Sequence, residues 1–230
     1  MKLFHGQING NQAEIFDEEQ HHILKVLRMS EGETIFVTDG EGTRAEGRLI
    51  IEGKKVLLDV VDIQQNLPAF SPRLHIAIAP TKNIDRTDFF VEKATEMGIS
   101  EITFLHTEKS ERKHLNIDKI RKKAIAASKQ SLRCHFPIIN DMVKWSQFLP
   151  TIHPDHTFVA HCDRAFQRCA IQELPLQDQY TFLIGPEGDF SPKEIEALLE
   201  QNIRSVQLGS QRLRTETAGV YIAAWNYFRM

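Results

Sequence analysis

Two rhythms of apolar and polar positions run along this chain. Up to about residue 70 the apolar residues alternate in short bursts. "TIFVT", "TRAEGRLII" and "VLLDVVDI" follow one another across the glycine turns "DGEG" and "EGKK". That spacing predicts three strands of an antiparallel meander or small barrel. Ahead of them, Asp17 with Gln20 three residues on predicts a capped helix burying Ile23, Leu24 and Leu27. "QQNLPAFSPR" breaks both periodicities with its two prolines and reads as a linker.

From Leu74 the rhythm changes. Apolar runs at 74–79, 102–105, 157–160, 181–184 and 205–208 alternate with helical patterns at 85–97, 118–132, 192–201 and 217–228. Gly98 is placed to end the first helix, and Ser191-Pro192-Lys193-Glu194 to open the third with a capping box. Strands alternating with helices predict an α/β fold with a mostly parallel sheet. The expected organisation is a small β-rich domain over 1–70 and an α/β domain over 71–230. The stripe Ala218, Tyr221, Ile222, Trp225 and Phe228 on the last helix is expected to be core, with part of it dimer surface.

Composition narrows the classes. At 41% hydrophobic and 26% charged, the chain can bury a proper core. The opening "MKLFHGQING" has no apolar signal core, and no run approaches the ~18 apolar residues of a membrane span. Three cysteines without a CxxC pair fit a reducing compartment, so a soluble cytoplasmic protein is expected. The ten histidines show no ligand spacing, and no metal is expected. A net charge of -3 means that any nucleic-acid contact needs a local basic patch.

Ligands of open parallel sheets sit beyond the carboxyl ends of the strands. Two loops occupy that place, "GPEGDF" after Thr181–Ile184 and "LGSQRLRTETA" after Val206. Gly185 and Gly188 allow close backbone approach, while Pro186 fixes the path between them. A diphosphate would need a different glycine pattern, and Glu187 and Asp189 would repel it. A neutral or cationic ligand suits these loops better.

"IGPEGDF" followed by "LGSQRLRTETA" resembles the RsmE family of 16S rRNA uridine-N3 methyltransferases, in the SPOUT superfamily. "HHILKVLRMSEGETIFVTDGEG" is similar to that family's N-terminal PUA-like barrel, and "TKNIDRTDFFVEKATEMGISEITFL" and "KQSLR" to the start of its catalytic domain. The resemblance implies a PUA-like β-barrel that binds RNA and a SPOUT-type knotted α/β domain. It implies S-adenosylmethionine held in a deep trefoil knot by Ile184, Gly185, Pro186, Glu187, Gly188, Leu208, Gly209, Leu213, Thr217 and Ala218. It also implies a homodimer acting on 16S rRNA of the small ribosomal subunit. Asp189 stands where the family usually has a second glycine, and Gln211-Arg212 replaces a more usual Arg-Ile. The alternatives are a non-catalytic RNA-binding protein of the same architecture, or the same chemistry on another RNA.

Methylating uridine N3 requires removal of its proton and stabilisation of charge spreading onto the carbonyl oxygens. Arg214 is the candidate for the second task; Glu216 either accepts the proton or orients Arg214. For RNA, residues 109–133 hold nine Lys or Arg against two acids. Lys122, Lys123 and Arg133 there, Arg86 at the first α/β helix, and Lys25 and Arg28 beside the barrel are the expected RNA contacts.

Overall fold

The structure, a computed structural model, describes residues 1–230 apart from Lys54 and Met230. The fold is mixed α/β, and the chain divides into two compact units. The first comprises Met1–Ala69 with Ile125–Phe136; the second comprises Phe70–Ala124 with Pro137–Met230.

The first unit is a closed five-stranded barrel of β1 (Leu3–Asn9), β2 (Gln12–Ile15), β3 (Thr34–Thr38), β4 (Arg44–Glu52) and β5 (Lys55–Gln64). Its order is β1-β2-β5-β4-β3, closed by parallel pairing of β1 with β3. Alternation in β3 and β4 sends Ile35, Val37, Ala45 and Leu49 into the core with Phe4, Ile15 and Leu58. Each fully buried side chain of Leu, Ile or Phe size contributes ~1.5–3 kcal/mol. A β-bulge between Glu46 and Gly47 bends β4. The β1-β2 hairpin was not expected from the sequence. Its signal is Gly10-Asn11, with Gly10 at φ 62° supplying the left-handed turn residue.

Asp17 does not cap the first helix. Phe16 occupies that position without a side-chain cap, and α1 spans Asp17–His21 before a π-turn over His22–Val26. Gln20 instead ties the helix to the barrel: its Nε2 donates to Ile15 O (2.7 Å) and its Oε1 accepts from Val56 N (3.0 Å). Ile23 is buried as expected, but the π-turn rotates Leu27 outward to 40% exposure.

The second unit contains β6 (Arg73–Ile78), α2 (Ile84–Glu96), β7 (Glu101–His106), α3 (Ile117–Gln130), β8 (Ile138–Lys144), α4 (Trp145–Phe148), β9 (Thr157–Ala160), β10 (Cys169–Ala170), β11 (Gln179–Ile184), α5 (Pro192–Glu200), β12 (Arg204–Gln207) and α6 (Thr215–Tyr227). The end of α3 belongs to the first unit. The sheet is seven-stranded, parallel throughout, in the order β10-β12-β9-β11-β6-β7-β8. Both faces are apolar, which explains the near-continuous hydrophobic strands. Leu74, Ile76, Phe104 and Phe182 meet α2, α3 and α6 through Phe90, Ile120 and Ile222. Ala77, Leu105, Val159 and Leu183 meet α4 and α5 through Phe148, Ile195 and Leu198.

Two helix ends match their sequence signals. Gly98 (φ 88°) follows α2, and Ser191 with Glu194 forms the capping box of α5. One expectation fails: α6 starts at Thr215, two residues early. Its stripe is buried at Ala218 and Ile222, and Phe228 is 87% exposed. The strands β8 and β10 were not foreseen. β8 is an edge strand interrupted by Asn140 and Asp141, and β10 has only two residues.

Candidate active site

β9 lies between β11 and β12, with Ala160 in register with both Ile184 and Val206. The chain therefore leaves three neighbouring strands at one rim, through His161-Cys162, Gly185-Pro186 and Leu208-Gly209. A cleft of about 970 Å³ opens there, at the upper end of the size common for small-molecule sites.

The loop after β11 is fixed from four directions. Glu187 Oε1 accepts the Lys82 backbone N–H (2.9 Å). Lys109 Nζ donates to the carbonyls of Gly188 (3.0 Å) and Phe190 (3.1 Å). Thr215 Oγ1 donates to Gly185 O (3.1 Å). Asp189 Oδ2 accepts from Cys162 N (2.7 Å), and its Oδ1 from Phe190 N (2.8 Å). Asp189 adopts φ 61°, a left-handed conformation that suits glycine, and its two hydrogen bonds offset the strain. The departure at this position is thus a tie between two rim loops. A Cβ on Gly185 would lie 2.8 Å from Phe190 N, so the turn requires glycine there.

Of the residues expected around a cofactor, Ile184, Gly185, Pro186, Glu187, Leu208, Gly209, Leu213 and Ala218 line the cleft. Gly188 packs against the Lys109 stem and Thr217 is exposed; neither lines it. The test of fit is the lining itself, apolar at Ile184, Leu208, Leu213 and Ala218 with the exposed Gly209 backbone beside them. Apolar side chains and bare backbone suit a partly apolar molecule with polar ends such as S-adenosylmethionine.

Arg214 is exposed on the cleft wall. Glu216 is buried, and its ion-pair partner is Arg86 on α2 (Oε1 to Nε 3.8 Å), in place of the expected Arg214. Its Oε2 is buried with no hydrogen-bond partner among the described residues. Arg86 itself lines the cleft. Close packing of α2 on α6 fixes this pair, since a Cβ on Gly219 would lie 2.5 Å from the Phe90 ring.

The expected RNA contacts are scattered. Lys25 and Arg28 are exposed on the first unit, and Lys122 is exposed on α3. Lys123 and Lys119 both turn to Asp88 Oδ2 (3.6 and 3.7 Å). Arg133 is a correction: it is buried at 5% exposure in the first unit, and burial pushes its pKa down to about 10. It stays charged near neutrality but is not displayed for a phosphate.

Sequence reasoning missed the segment after β9. His161, Cys162, Arg164 and Arg168 all line the cleft. His161 is buried, both ring nitrogens lack partners among the described residues, and burial holds its pKa below the usual histidine range. Arg168 Nη1 donates to His161 O (2.8 Å). The carboxyl-end rule applied to 157–160 as well as to the two glycine loops would have found them.

Known proteins resemble this chain in sequence and fold. Residues 69–226 match the family model of an RNA methyltransferase domain, and residues 16–61 that of an RNA methyltransferase PUA domain. Ribosomal RNA small subunit methyltransferase E of Bacillus subtilis is 29% identical, over 90% of this chain and 86% of its own length. The crystal structure of a probable rRNA-methyltransferase from Porphyromonas gingivalis is 33% identical, with a TM-score of 0.89 over 99% of this chain and 98% of that one. The Neisseria gonorrhoeae methyltransferase E structure bound to S-adenosyl methionine has a TM-score of 0.86 over 98% of this chain and 96% of that one; at 24% identity it speaks to fold alone. By these matches the chain belongs to the RNA methyltransferase family and, within it, to the RsmE family that its loop motifs resemble.

Proposed function

We propose that this protein methylates N3 of a uridine in 16S rRNA of the small ribosomal subunit, using S-adenosylmethionine. The observation that carries the reading is the cleft at the rim of β9, β11 and β12, where Gly209 leaves its backbone open beside Ile184, Leu208 and Leu213. The relatives' activity as ribosomal RNA small subunit methyltransferases supports the substrate. Bound there, S-adenosylmethionine supplies an electrophilic methyl group on a sulfonium.

The chain's own residues divide the remaining work. Ile184, Leu208, Leu213 and Ala218 form an apolar wall that excludes water. Arg214, exposed on that wall, sets positive charge against the pyrimidine carbonyl oxygens and favours loss of the N3 proton. Glu216 has one oxygen on Arg86, and its second, unpartnered among the described residues, is the candidate proton acceptor. Lys25 and Arg28 supply further RNA contact from the barrel. The reading also includes a trefoil knot around the cleft, a homodimer, no metal and a cytoplasmic location. No described helix is long and apolar enough to cross a membrane.

Mass-spectrometric nucleoside analysis of 16S rRNA from cells with and without this gene tests the reading. Loss of one 3-methyluridine on deletion is expected; an unchanged nucleoside profile would refute it.

A further inference from the structure

The charge around the cleft does not match a cationic cofactor alone. Five arginines line it, Arg86, Arg164, Arg168, Arg212 and Arg214, against two acids, Glu187 and Asp189. Both acids are engaged with backbone N–H groups, and Arg86 with Glu216. Among the described residues, Arg164, Arg168, Arg212 and Arg214 have no carboxylate within ion-pair distance. S-adenosylmethionine carries a sulfonium and an ammonium against one carboxylate, so it adds positive charge to this rim. A polyanion must balance it. The cations of α3 differ: Lys119 and Lys123 face Asp88, Arg121 faces Asp118 and Asp141, and Lys129 faces Glu19.

Resting on the function proposed above, we propose that Arg164, Arg168 and Arg212 grip the phosphates of single-stranded RNA flanking the target nucleotide at the mouth of the cleft. Guanidinium groups bind phosphate oxygens in bidentate fashion, and Arg164 and Arg212 are exposed for that contact. A base can enter a cleft of this kind only out of its stack, so the flanking strand is unpaired there. Lys119, Arg121, Lys123 and Lys129 of the basic run 109–133 are then held in ion pairs within the protein. The segment after β9 brings the RNA to the cofactor.

The test is the salt dependence of full-length protein binding to a uridine-containing single-stranded RNA oligonucleotide, by fluorescence anisotropy with S-adenosylhomocysteine present. On single strands, each phosphate contact contributes ~0.7 to the slope of log affinity against log salt. Arg164→Gln and Arg212→Gln are each expected to flatten the slope by ~0.7, and the pair by ~1.4. Lys119→Gln with Lys123→Gln should leave it unchanged. Thermal melting by circular dichroism checks that each variant is folded. An unchanged slope in the rim variants, or flattening only in the α3 variant, would overturn the proposal. So would rim variants that lose S-adenosylhomocysteine affinity while keeping the slope, since the arginines would then serve the cofactor carboxylate. Should the grip be confirmed while the rRNA nucleoside profile is unchanged by deletion, the proposed reaction fails and the grip stands.

Discussion

Glu216 and Arg86 face each other across the contact of α6 with α2, Oε1 to Nε 3.8 Å. Glu216 is buried, whereas the Arg86 side chain is 39% exposed, so the carboxylate depends more on the pair than the guanidinium does. Arg86→Ala is expected to destabilise the protein by ~1–3 kcal/mol, because it leaves a buried charged acceptor without its partner. Arg86→Ala combined with Glu216→Gln should recover most of that loss. Chemical denaturation of the two single variants and the double provides the cycle; strictly additive losses would show that the pair is not coupled.

Arg214 makes the complementary prediction for catalysis. It is exposed and has no ion pair among the described residues, so its removal should leave the fold intact. Arg214→Ala is expected to slow single-turnover methylation by ~10²–10³-fold, the cost of one donor to a developing oxyanion. The Kd for S-adenosylhomocysteine, measured by calorimetry, should change little. Equal losses in rate and affinity would place Arg214 in ground-state binding.

Asp189 combines a left-handed backbone with two accepted hydrogen bonds, from Cys162 N and Phe190 N. Asp189→Ala keeps the strain and loses both bonds; Asp189→Gly loses the bonds but relieves the strain. Asp189→Ala should therefore be the less stable variant, by ~1 kcal/mol. Thermal melts of the two decide it, and equal stability would mean that the backbone at this position is not strained.

Burial lowers the pKa of His5, His75, His156 and His161. Each binds its proton less readily folded than unfolded. They have no effect on stability well above the unfolded histidine pKa of ~6.5, where both states are neutral. Below it the unfolded chain takes up protons first, so stability should fall as pH drops from ~6.5 towards the lowered folded values. The buried His161 and the largely enclosed His75 carry most of this effect, up to ~1.4 kcal/mol per pH unit each, and solvent screening reduces it at the half-exposed His5 and His156. Denaturant midpoints at pH 7.5 and 5.5 measure it, and equal midpoints would count against neutral imidazoles at these sites.

What the sequence disclosed followed from local chemistry. The capping box at Ser191 and Glu194 is visible because its partners are three residues apart, and Gly98 because a left-handed residue ends α2. The two glycine loops announced the rim because they interrupt strongly apolar strands. What stayed hidden depends on distant partners. Asp189 gives no sign of reaching Cys162, 27 positions away, nor Glu216 of choosing Arg86 over Arg214. Arg133 looked like one more cation in a basic run, and only packing shows it buried. Leu27 turned outward because a π-turn altered a periodicity read as α-helical.

The ties on the loop after β11 come from the connections that follow β6, β7 and β9, through Lys82, Lys109 and Cys162, and from Thr215 at the start of α6. A change of length beside any of these tied residues strains a shared latch. Insertions and deletions among related sequences should therefore avoid this end of the sheet and gather at the opposite one, where the strands begin.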